Sequence, residues 1–139
     1  MDLALHRPIS ATSSKDQYVP ANIVDGDTGS YWESVNGSGV FPQTLTVDLG
    51  TATIVGRIVL DLPPVADGNQ RTQTITILGA GDDGRYAPIV ASRDYAFDAR
   101  TGDTAAVTFA PAHVRYIQLV FTANSGWPAA QLSELAIFS

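Results

Sequence analysis

Residues 53–62, TIVGRIVLDL, decide the fold class, because apolar side chains recur at every second position of this stretch. Ile54, Ile58, Leu60 and Leu62 would share one face of an extended chain, with Gly56 between them. A period of two in a segment rich in β-branched residues is typical of a β-strand, whereas the faces of a helix repeat every ~3.6 residues. This stretch therefore predicts a strand with one buried face.

The same period recurs along the chain, and turn-forming residues separate the alternating segments. The further segments are TLTVDLG at 44–50, QTITIL at 73–78, AVTF at 106–109, VRYIQLVF at 114–121 and ELAIF at 134–138. About seven or eight short strands without a long helix must bury their apolar faces against one another. The sequence therefore predicts an all-β fold, an antiparallel β-sandwich such as a jelly roll, formed by a single domain over residues 1–139.

Composition narrows the possible partners. The chain has 139 residues, a net charge of −6 and no cysteine. Lys and Arg form no cluster, so neither nucleic acid nor an anionic membrane is expected to bind this acidic chain. The absence of cysteine excludes disulfides, thiolate metal sites and cysteine nucleophiles. No apolar run approaches the ~20 residues of a membrane-spanning helix, and no signal peptide is expected in the first ten residues.

The residues suited to acid–base or nucleophilic catalysis form no recognisable constellation. His6 and His113 have no identifiable nucleophile beside them, and we interpret both as structural or surface residues. Asp82 and Asp83 precede Gly84, and an Asp-Gly pair between two strands is first of all a turn. The hydrolase motif G-x-S-x-G and the zinc-protease motif H-E-x-x-H are absent. No enzymatic activity is expected.

Six segments, taken in order, resemble the discoidin or coagulation-factor C-type family, whose galactose-binding-domain-like sandwiches include the family-32 carbohydrate-binding modules. The segments are NIVDGDTGSYWES (22–34), PQTLTVDLG (42–50), IVGRIVL (54–60), QTITILGAGDDGRYAPIVA (73–91), VRYIQLVF (114–121) and AAQLSELAIF (129–138). The resemblance covers nearly the whole chain. It implies a discoidin-like, non-catalytic carbohydrate-binding module with the galactose-binding-domain-like jelly-roll fold.

Parts of the chain are also similar to a subgroup of these modules that is appended to secreted bacterial polysaccharide hydrolases, several of which act on glucans. The similar pieces are FPQTLTVDLG, LPP, RTQTITILG and NSGWPAAQLSE. This resemblance implies a secreted, extracellular location. It also implies that the module is part of a larger multidomain enzyme and targets a glycoside hydrolase to a polysaccharide.

The turn DGDTGS at 25–30 offers the mixture of carboxylates and backbone carbonyls that calcium prefers, although its spacing is not that of an EF-hand loop. The family resemblance implies a structural calcium held here together with a glutamate near the C-terminus. The ligands that it assigns are the Asp25 side chain, the carbonyls of Asn22 and Asp27, Ser30 in place of the usual threonine, the Ser133 carbonyl and the Glu134 carboxylate.

The alternative for this turn is an Asx-type turn that holds no metal. Glu134 favours the calcium hypothesis, because it lies on an otherwise apolar strand where a carboxylate needs a charge partner. Such an ion would join the two ends of the chain and stabilise the native state.

An acidic sandwich with polar loops is suited to neutral sugars, which stack on exposed aromatic rings and bond to planar polar groups. The candidate loops are 31–41, 63–71 and 123–129. The candidate ligand-binding residues are Tyr31, Glu33, Asn36, Phe41, Asn69, Arg71, Asn124 and Trp127. Galactose-binding relatives carry a histidine in the first loop and Arg-x4-Asn in the second. Here the histidine is absent and Pro64 replaces that arginine, so a glucan or another neutral polysaccharide is favoured over a galactan.

Several alternatives stay open from the sequence. Trp32 is interpreted as a core residue beneath the calcium turn rather than a ligand contact. Arg71 is either a ligand contact or the partner of a loop carboxylate, and Trp127 either caps the sandwich or presents its ring to solvent. A protein- or phospholipid-binding adhesion module is the alternative function, but the hairpin tips ADGNQ and GDDG are polar or acidic rather than apolar. A purely structural spacer is a third possibility.

Overall fold

The computed structural model describes residues 1–64 and 70–139. Asn69, one of the predicted ligand-binding residues, lies outside these ranges. The strands within them are β1 (Ile9–Ala11), β2 (Trp32–Glu33), β3 (Gln43–Asp61), β4 (Arg71–Ala80), β5 (Ala87–Phe97), β6 (Thr104–Asn124), β7 (Gln131–Leu132) and β8 (Glu134–Phe138). Two 3₁₀ turns, Pro20–Ile23 and Ala99–Thr101, lie between strands. None of the helical segments in the described ranges is long and apolar enough to cross a membrane.

The two longest strands, β3 and β6, organise the sheets. They pair along two stretches, residues 43–48 with 116–121 and residues 53–61 with 104–114. The first stretch is extended by β1 on one side and by β4 and β5 on the other, whereas β8 joins the second stretch. β2 and β7 form a separate short pair. Every one of these pairings is antiparallel, and the predicted β-sandwich is confirmed.

An irregularity in β3 changes which side chains face the core. The register with β6 shifts between Asp48 and Thr53 and again between Val55 and Arg57. An extra residue at such a bulge moves the neighbouring side chains to the opposite face of the sheet. Ile54 is therefore 47% exposed, whereas Ile58 is fully buried. The prediction that these two isoleucines share one buried face is wrong.

The other alternating segments bury the predicted faces in one continuous core. Trp32 belongs to this core and has no exposed surface. Its ring packs against Phe121 with the ring centroids 5.6 Å apart. Its indole Nε1 donates a hydrogen bond to the Ser13 carbonyl at 3.1 Å, so the polar end of the ring is also satisfied. The interpretation of Trp32 as a core residue is confirmed.

The bulge can be tested with two identical substitutions in β3. We expect Ile58→Ala to lower the free energy of unfolding by about 2–5 kcal/mol, since it leaves a cavity in the core. Ile54→Ala should cost less than about 1 kcal/mol, because this side chain lies at the surface. Urea denaturation followed by tryptophan fluorescence measures both values. Equal losses in the two variants would contradict the bulge.

Candidate functional site

A shallow cleft of about 190 Å³ lies where β4 begins, beside the segments that follow β3 and β6. Its lining comes from three separate parts of the chain. These are Tyr31, then Pro63, Pro64 and Arg71, and then Gly126, Trp127 and Gln131. The fold thus brings together Tyr31, Arg71 and Trp127, three of the predicted ligand-binding residues. Their role in binding stays a prediction.

Trp127 presents its ring at this cleft and is 47% exposed. The loop that carries it is fixed by its own polar residues. The Asn124 side-chain amide donates to the Ala129 carbonyl at 2.8 Å and accepts from the Gly126 N–H at 2.9 Å. The Ser125 hydroxyl accepts from the Thr72 N–H at 2.9 Å. Asn124, predicted to contact ligand, therefore orders the loop that holds Trp127 and does not line the cleft.

Arg71 is held in the cleft by several contacts. Its Nη2 donates to the Asp103 carboxylate at 3.0 Å and to the Pro63 carbonyl at 2.7 Å. Its aliphatic part packs so closely on Gly126 that a Cβ there would lie 2.7 Å from Cγ of Arg71. Its buried Nε has no hydrogen-bond partner within the described residues. Arg71 is thus the partner of a loop carboxylate and a cleft residue at once, and Asp103 compensates its charge.

Glu33 lies behind the cleft and is only 6% exposed. Its Oε1 accepts a hydrogen bond of 2.6 Å from Nε2 of Gln131, which lines the cleft. None of the ion pairs within residues 1–64 and 70–139 includes this carboxylate. Because Arg71 is already paired with Asp103, Glu33 gives the cleft region an excess of negative charge.

Tyr31 is stacked on Tyr18, with ring centroids 4.4 Å apart and an angle of 14° between the rings. Hydrogen bonding with the Tyr18 phenol, helped by burial, raises the pKa of Tyr31 to about 12. The phenol therefore stays protonated well above neutral pH.

Gln131 is a cleft residue that the sequence does not predict. Its backbone forms two hydrogen bonds with the side-chain amide of the buried Gln73. Nε2 of Gln73 donates to the Gln131 carbonyl at 2.8 Å, and Oε1 accepts from the Gln131 N–H at 3.1 Å. A lone glutamine in each of two separated strands gives no pattern that pairs them. Only the tertiary structure brings Gln73 and Gln131 together.

The remaining predicted residues of the 31–41 loop do not line the cleft. Asn36 is exposed, and Phe41 is partly buried against the hydrophobic core. The loop is joined to the loop of Trp127 by hydrogen bonds from the Ser34 N–H to the Ala130 carbonyl at 2.9 Å and from the Gly37 N–H to the Pro128 carbonyl at 3.0 Å. This loop therefore supports the cleft from behind.

The acidic turn at 25–30 is ordered by its own side chains. The Ser30 hydroxyl donates to Oδ2 of Asp25 at 2.7 Å and lies 3.2 Å from the carbonyl oxygens of both Asn22 and Asp27. The Asp27 N–H donates to Oδ1 of Asp25 at 2.8 Å. Burial by itself would raise the pKa of Asp25, but hydrogen bonds from the Asp27 N–H, Ser30 and Glu134 outweigh it and lower that pKa. Several oxygen atoms thus converge around Ser30.

Glu134 approaches this turn from the other end of the chain. It is 8% exposed, and its Oε1 is buried without a hydrogen-bond partner in the described part of the chain. Burial, followed by hydrogen bonding to Asp25 and the negative charge of Asp25, raises the pKa of Glu134 to about 8. A divalent cation bound between these two carboxyl groups would compensate their negative charge.

The oxygen ligands that this turn offers to a metal ion are two carboxylates, a hydroxyl and several carbonyls. Accordingly, no group of three or more His, Cys, Asp and Glu side chains within the described ranges is placed to hold a metal ion. Hard-cation sites also use carbonyl oxygens, which suits this mixture. Ser133, the other predicted ligand, precedes Glu134 and donates its N–H to the Asp61 carbonyl at 2.8 Å. The residues present fit a calcium ion.

The residues considered for catalysis are placed apart from the cleft. His6 is exposed, and its Nε2 lies 3.4 Å from the Asp25 carbonyl. Gly84 has a φ of +71° and donates its N–H to the Gly81 carbonyl at 3.1 Å, which confirms the predicted turn at Asp82 and Asp83.

Comparison with known families decides the class of the protein. Residues 8–135 match the model of the F5/8 type C domain. The chain belongs to this family. The resemblance to the discoidin or coagulation-factor C-type family is thereby confirmed, and an F5/8 type C domain is a non-catalytic binding module. A sequence comparison with curated proteins finds no match.

Solved structures similar to this F5/8 type C domain include carbohydrate-binding modules. Chitosan-binding module 1 of a chitosanase/glucanase from Paenibacillus sp. IK-5 is 22% identical with a TM-score of 0.79, covering 100% of this chain and 99% of the other. The family-32 module of NanJ from C. perfringens, in complex with galactose, is 25% identical with a TM-score of 0.80 and coverages of 96% and 94%. The CBM32 of AlyQ, in complex with 4,5-unsaturated mannuronic acid, is 25% identical with a TM-score of 0.75 and coverages of 94% and 93%.

Glu134 should make the stability of the cation-free domain depend on pH. The unfolded side chain titrates near 4.5 and the folded one at about 8, so the folded state holds a proton that the unfolded state has lost. The stabilisation from this group is complete below pH 4.5 and is lost as the pH rises to about 8. In chelator, the melting temperature of the native domain should therefore fall across this window relative to that of Glu134→Gln, which keeps a neutral side chain. Parallel melting profiles would contradict the prediction.

Proposed function

We propose that this F5/8 type C domain is a carbohydrate-binding module that holds a polysaccharide at the cleft of Tyr31, Arg71 and Trp127. The observation that carries the proposal is the half-exposed Trp127 ring beside the fixed Arg71 guanidinium. A sugar ring stacks on an aromatic face while its hydroxyls bond to planar polar groups. Similarity to several carbohydrate-binding modules supports the same function.

The charge of the cleft favours a ligand without acidic groups. Asp103 compensates Arg71, and Glu33 adds a negative charge that has no cationic partner among the described residues. A uronic acid such as the one in the AlyQ complex would be repelled. We therefore propose a neutral polysaccharide as the ligand, with a glucan favoured over a galactan, because the 31–41 loop lacks the histidine of galactose-binding relatives and Pro64 stands at the position of their arginine.

Glu33 favours a second class of ligand, a glycan that carries a protonated amino group. A buried carboxylate without a counter-ion gains free energy when a cation binds next to it. The Paenibacillus neighbour is a chitosan-binding module, which makes chitosan a necessary member of any test panel.

The module acts, in this proposal, as the targeting part of a larger secreted glycoside hydrolase. A shallow cleft desolvates little of its ligand, so a single site should bind weakly. Joining the module to an enzyme that acts on the same polymer raises the effective concentration of the enzyme at its substrate.

We further propose that calcium is a structural cofactor at the acidic turn. Asp25 and Glu134 would bind it through their carboxylates, Asn22, Asp27 and Ser133 through carbonyls, and Ser30 through its hydroxyl or carbonyl. The ion would take the place of the proton that Glu134 retains beside Asp25, would contact both carboxylates and would satisfy the buried Oε1 of Glu134. Because Asp25 and Glu134 lie near opposite ends of the chain, the bound ion would stabilise the fold rather than contact the sugar.

The glycan cleft is tested with Trp127→Ala, compared with Val35→Ala, which removes another exposed apolar side chain outside the cleft lining. Loss of the stacking ring should weaken the binding that retains the domain on the polysaccharide about two- to tenfold, the equivalent of roughly 0.5–1.5 kcal/mol. The melting temperature should change little. Affinity electrophoresis against α- and β-glucans, galactan, xylan, chitosan and alginate measures retention.

Two results of that experiment would contradict the proposal. Unchanged retention in Trp127→Ala would remove the cleft as the binding site, and a melting temperature lowered as in a core variant would mean that the ring caps the sandwich. Strong cosedimentation with anionic phospholipid vesicles, combined with no retention by any polysaccharide, would favour an adhesion module instead.

The calcium site is tested by removing the ion. Chelator should lower the melting temperature of the native domain, and excess calcium should restore it, because the ion binds only the folded state. Asp25→Asn should abolish this response, since Asp25 would bind through its carboxylate. Asp27→Asn is the matched control and should keep the response, since Asp27 would bind through its carbonyl. Identical melting curves of the native domain in chelator and in calcium would refute the site.

A further inference from the structure

A second groove, which we call the Tyr116 groove, lies on the same large sheet as the cleft but towards the opposite end of its strands. It has a volume of about 280 Å³ and is lined by Pro8, Ile9, Ser10, Thr46, Asp48 and Tyr116. Arg71, which lines the cleft, is the first residue of β4, whereas Ala80, the last residue of β4, pairs with Tyr116. Nine residues of extended strand separate Arg71 from Ala80, a distance of about 30 Å at ~3.3 Å per residue. The two grooves are therefore separate.

Tyr116 gives this groove its aromatic surface. Tyr116 lines the groove, and the Arg115 guanidinium carbon lies 4.9 Å from the centroid of its ring. The groove thus has one aromatic ring in its lining, and the Arg115 guanidinium packs on that ring.

A planar ion pair between Arg115 and Asp48 lies beside the Tyr116 ring. Arg115 donates through Nε and Nη2 to the two carboxylate oxygens of Asp48 at 2.9 and 3.1 Å. The Gly50 N–H donates to the same carboxylate at 2.8 Å. A Cβ on Gly50 would lie 2.8 Å from Nη1 of Arg7, so a second guanidinium packs at this turn.

The charges around the Tyr116 groove balance. The positive charges of Arg7 and Arg115 are matched by the negative charges of Asp48 and Asp82. The Asp82 carboxylate lies 3.5 Å from Nη1 of Arg115. Hydroxyl groups of Ser10 and Thr46 complete the polar lining, and Nε2 of Gln118 donates to Oγ1 of Thr46 at 3.2 Å. A surface without net charge offers no attraction to a nucleic acid, an anionic lipid or a charged peptide.

The chemistry of the Tyr116 groove matches that of a neutral sugar. An aromatic face such as that of Tyr116 receives the apolar face of a pyranose ring. A planar guanidinium–carboxylate pair and hydroxyl groups form hydrogen bonds with the sugar hydroxyls. The volume lies just below the ~300–1,000 Å³ of typical small-molecule sites, so it suits one or two sugar units rather than a protein surface.

We propose that the Tyr116 groove is a second glycan-binding site, which holds another segment of a neutral polysaccharide. This inference rests on the proposed function, since it assumes that the module binds polysaccharide, but it uses none of the cleft residues. With two sites at opposite ends of one sheet, a single domain bridges two polysaccharide chains or two distant segments of one chain. Bridging raises the overall affinity without any new contact in the first cleft.

The test is a titration of the isotopically labelled domain with laminarihexaose, maltohexaose and chitohexaose, followed by two-dimensional amide NMR. We expect two groups of perturbed amides, one around Trp127 and one around Tyr116, with separate dissociation constants. Trp127→Ala should lose only the first group. Tyr116→Ala should weaken the second about two- to tenfold, the loss of one aromatic contact, and leave the first unchanged.

A second variant guards against a purely structural effect. Thr46→Val keeps the shape of the side chain but removes a hydroxyl from the groove, and it should weaken only the second group. The amide spectrum of each variant reports directly whether the domain is folded.

The outcomes separate the two proposals. Perturbations confined to the Trp127 cleft at saturating sugar would overturn the second site and leave the proposed function standing. Perturbations confined to the Tyr116 groove would support the second site and overturn the cleft. An absence of perturbation with all three sugars would overturn both.

Discussion

The antiparallel pairing of β3 with β6 is the interaction on which the rest of the structure depends. Both strands run through two stretches of the sheet, and the register shifts in β3 separate these stretches. β1, β4 and β8 all pair directly with one of these two strands. The pairing joins residues that are far apart in sequence, so the sandwich forms only when the long-range contacts form, as in other all-β domains.

The same pairing fixes the surroundings of the cleft. The segment that leaves β3 accepts a hydrogen bond at Asp61 from Ser133, beside the acidic turn, and two residues later its Pro63 carbonyl accepts one from Arg71. The acidic turn and the cleft are therefore connected through three residues of backbone, Asp61 to Pro63. A cleft residue such as Arg71 is held from several sides, which reduces the conformational entropy lost when a ligand binds.

Charge is distributed unevenly over this acidic domain. The arginines at the two grooves are paired with carboxylates, Arg71 with Asp103 and Arg115 with Asp48, so neither groove presents a free cation from these residues. Glu33, behind the cleft, belongs to none of the ion pairs of the described residues. The paired arginines favour hydrogen bonding over charge attraction as the means of recognition, which is what the proposed neutral polysaccharide requires.

The sequence by itself determined the class of fold and the family, because period-two alternation and turn residues are local properties that survive without knowledge of contacts. It also predicted Tyr31, Arg71 and Trp127 as binding residues in separate loops, and the tertiary structure places these three at one cleft. Only the tertiary structure decided that Ile54 faces solvent, since a bulge depends on the partner strand. Likewise, only the tertiary structure placed Gln131 at the cleft and gave Asn124 a supporting role, because the hydrogen-bond partners of a polar side chain are set by contacts across the fold.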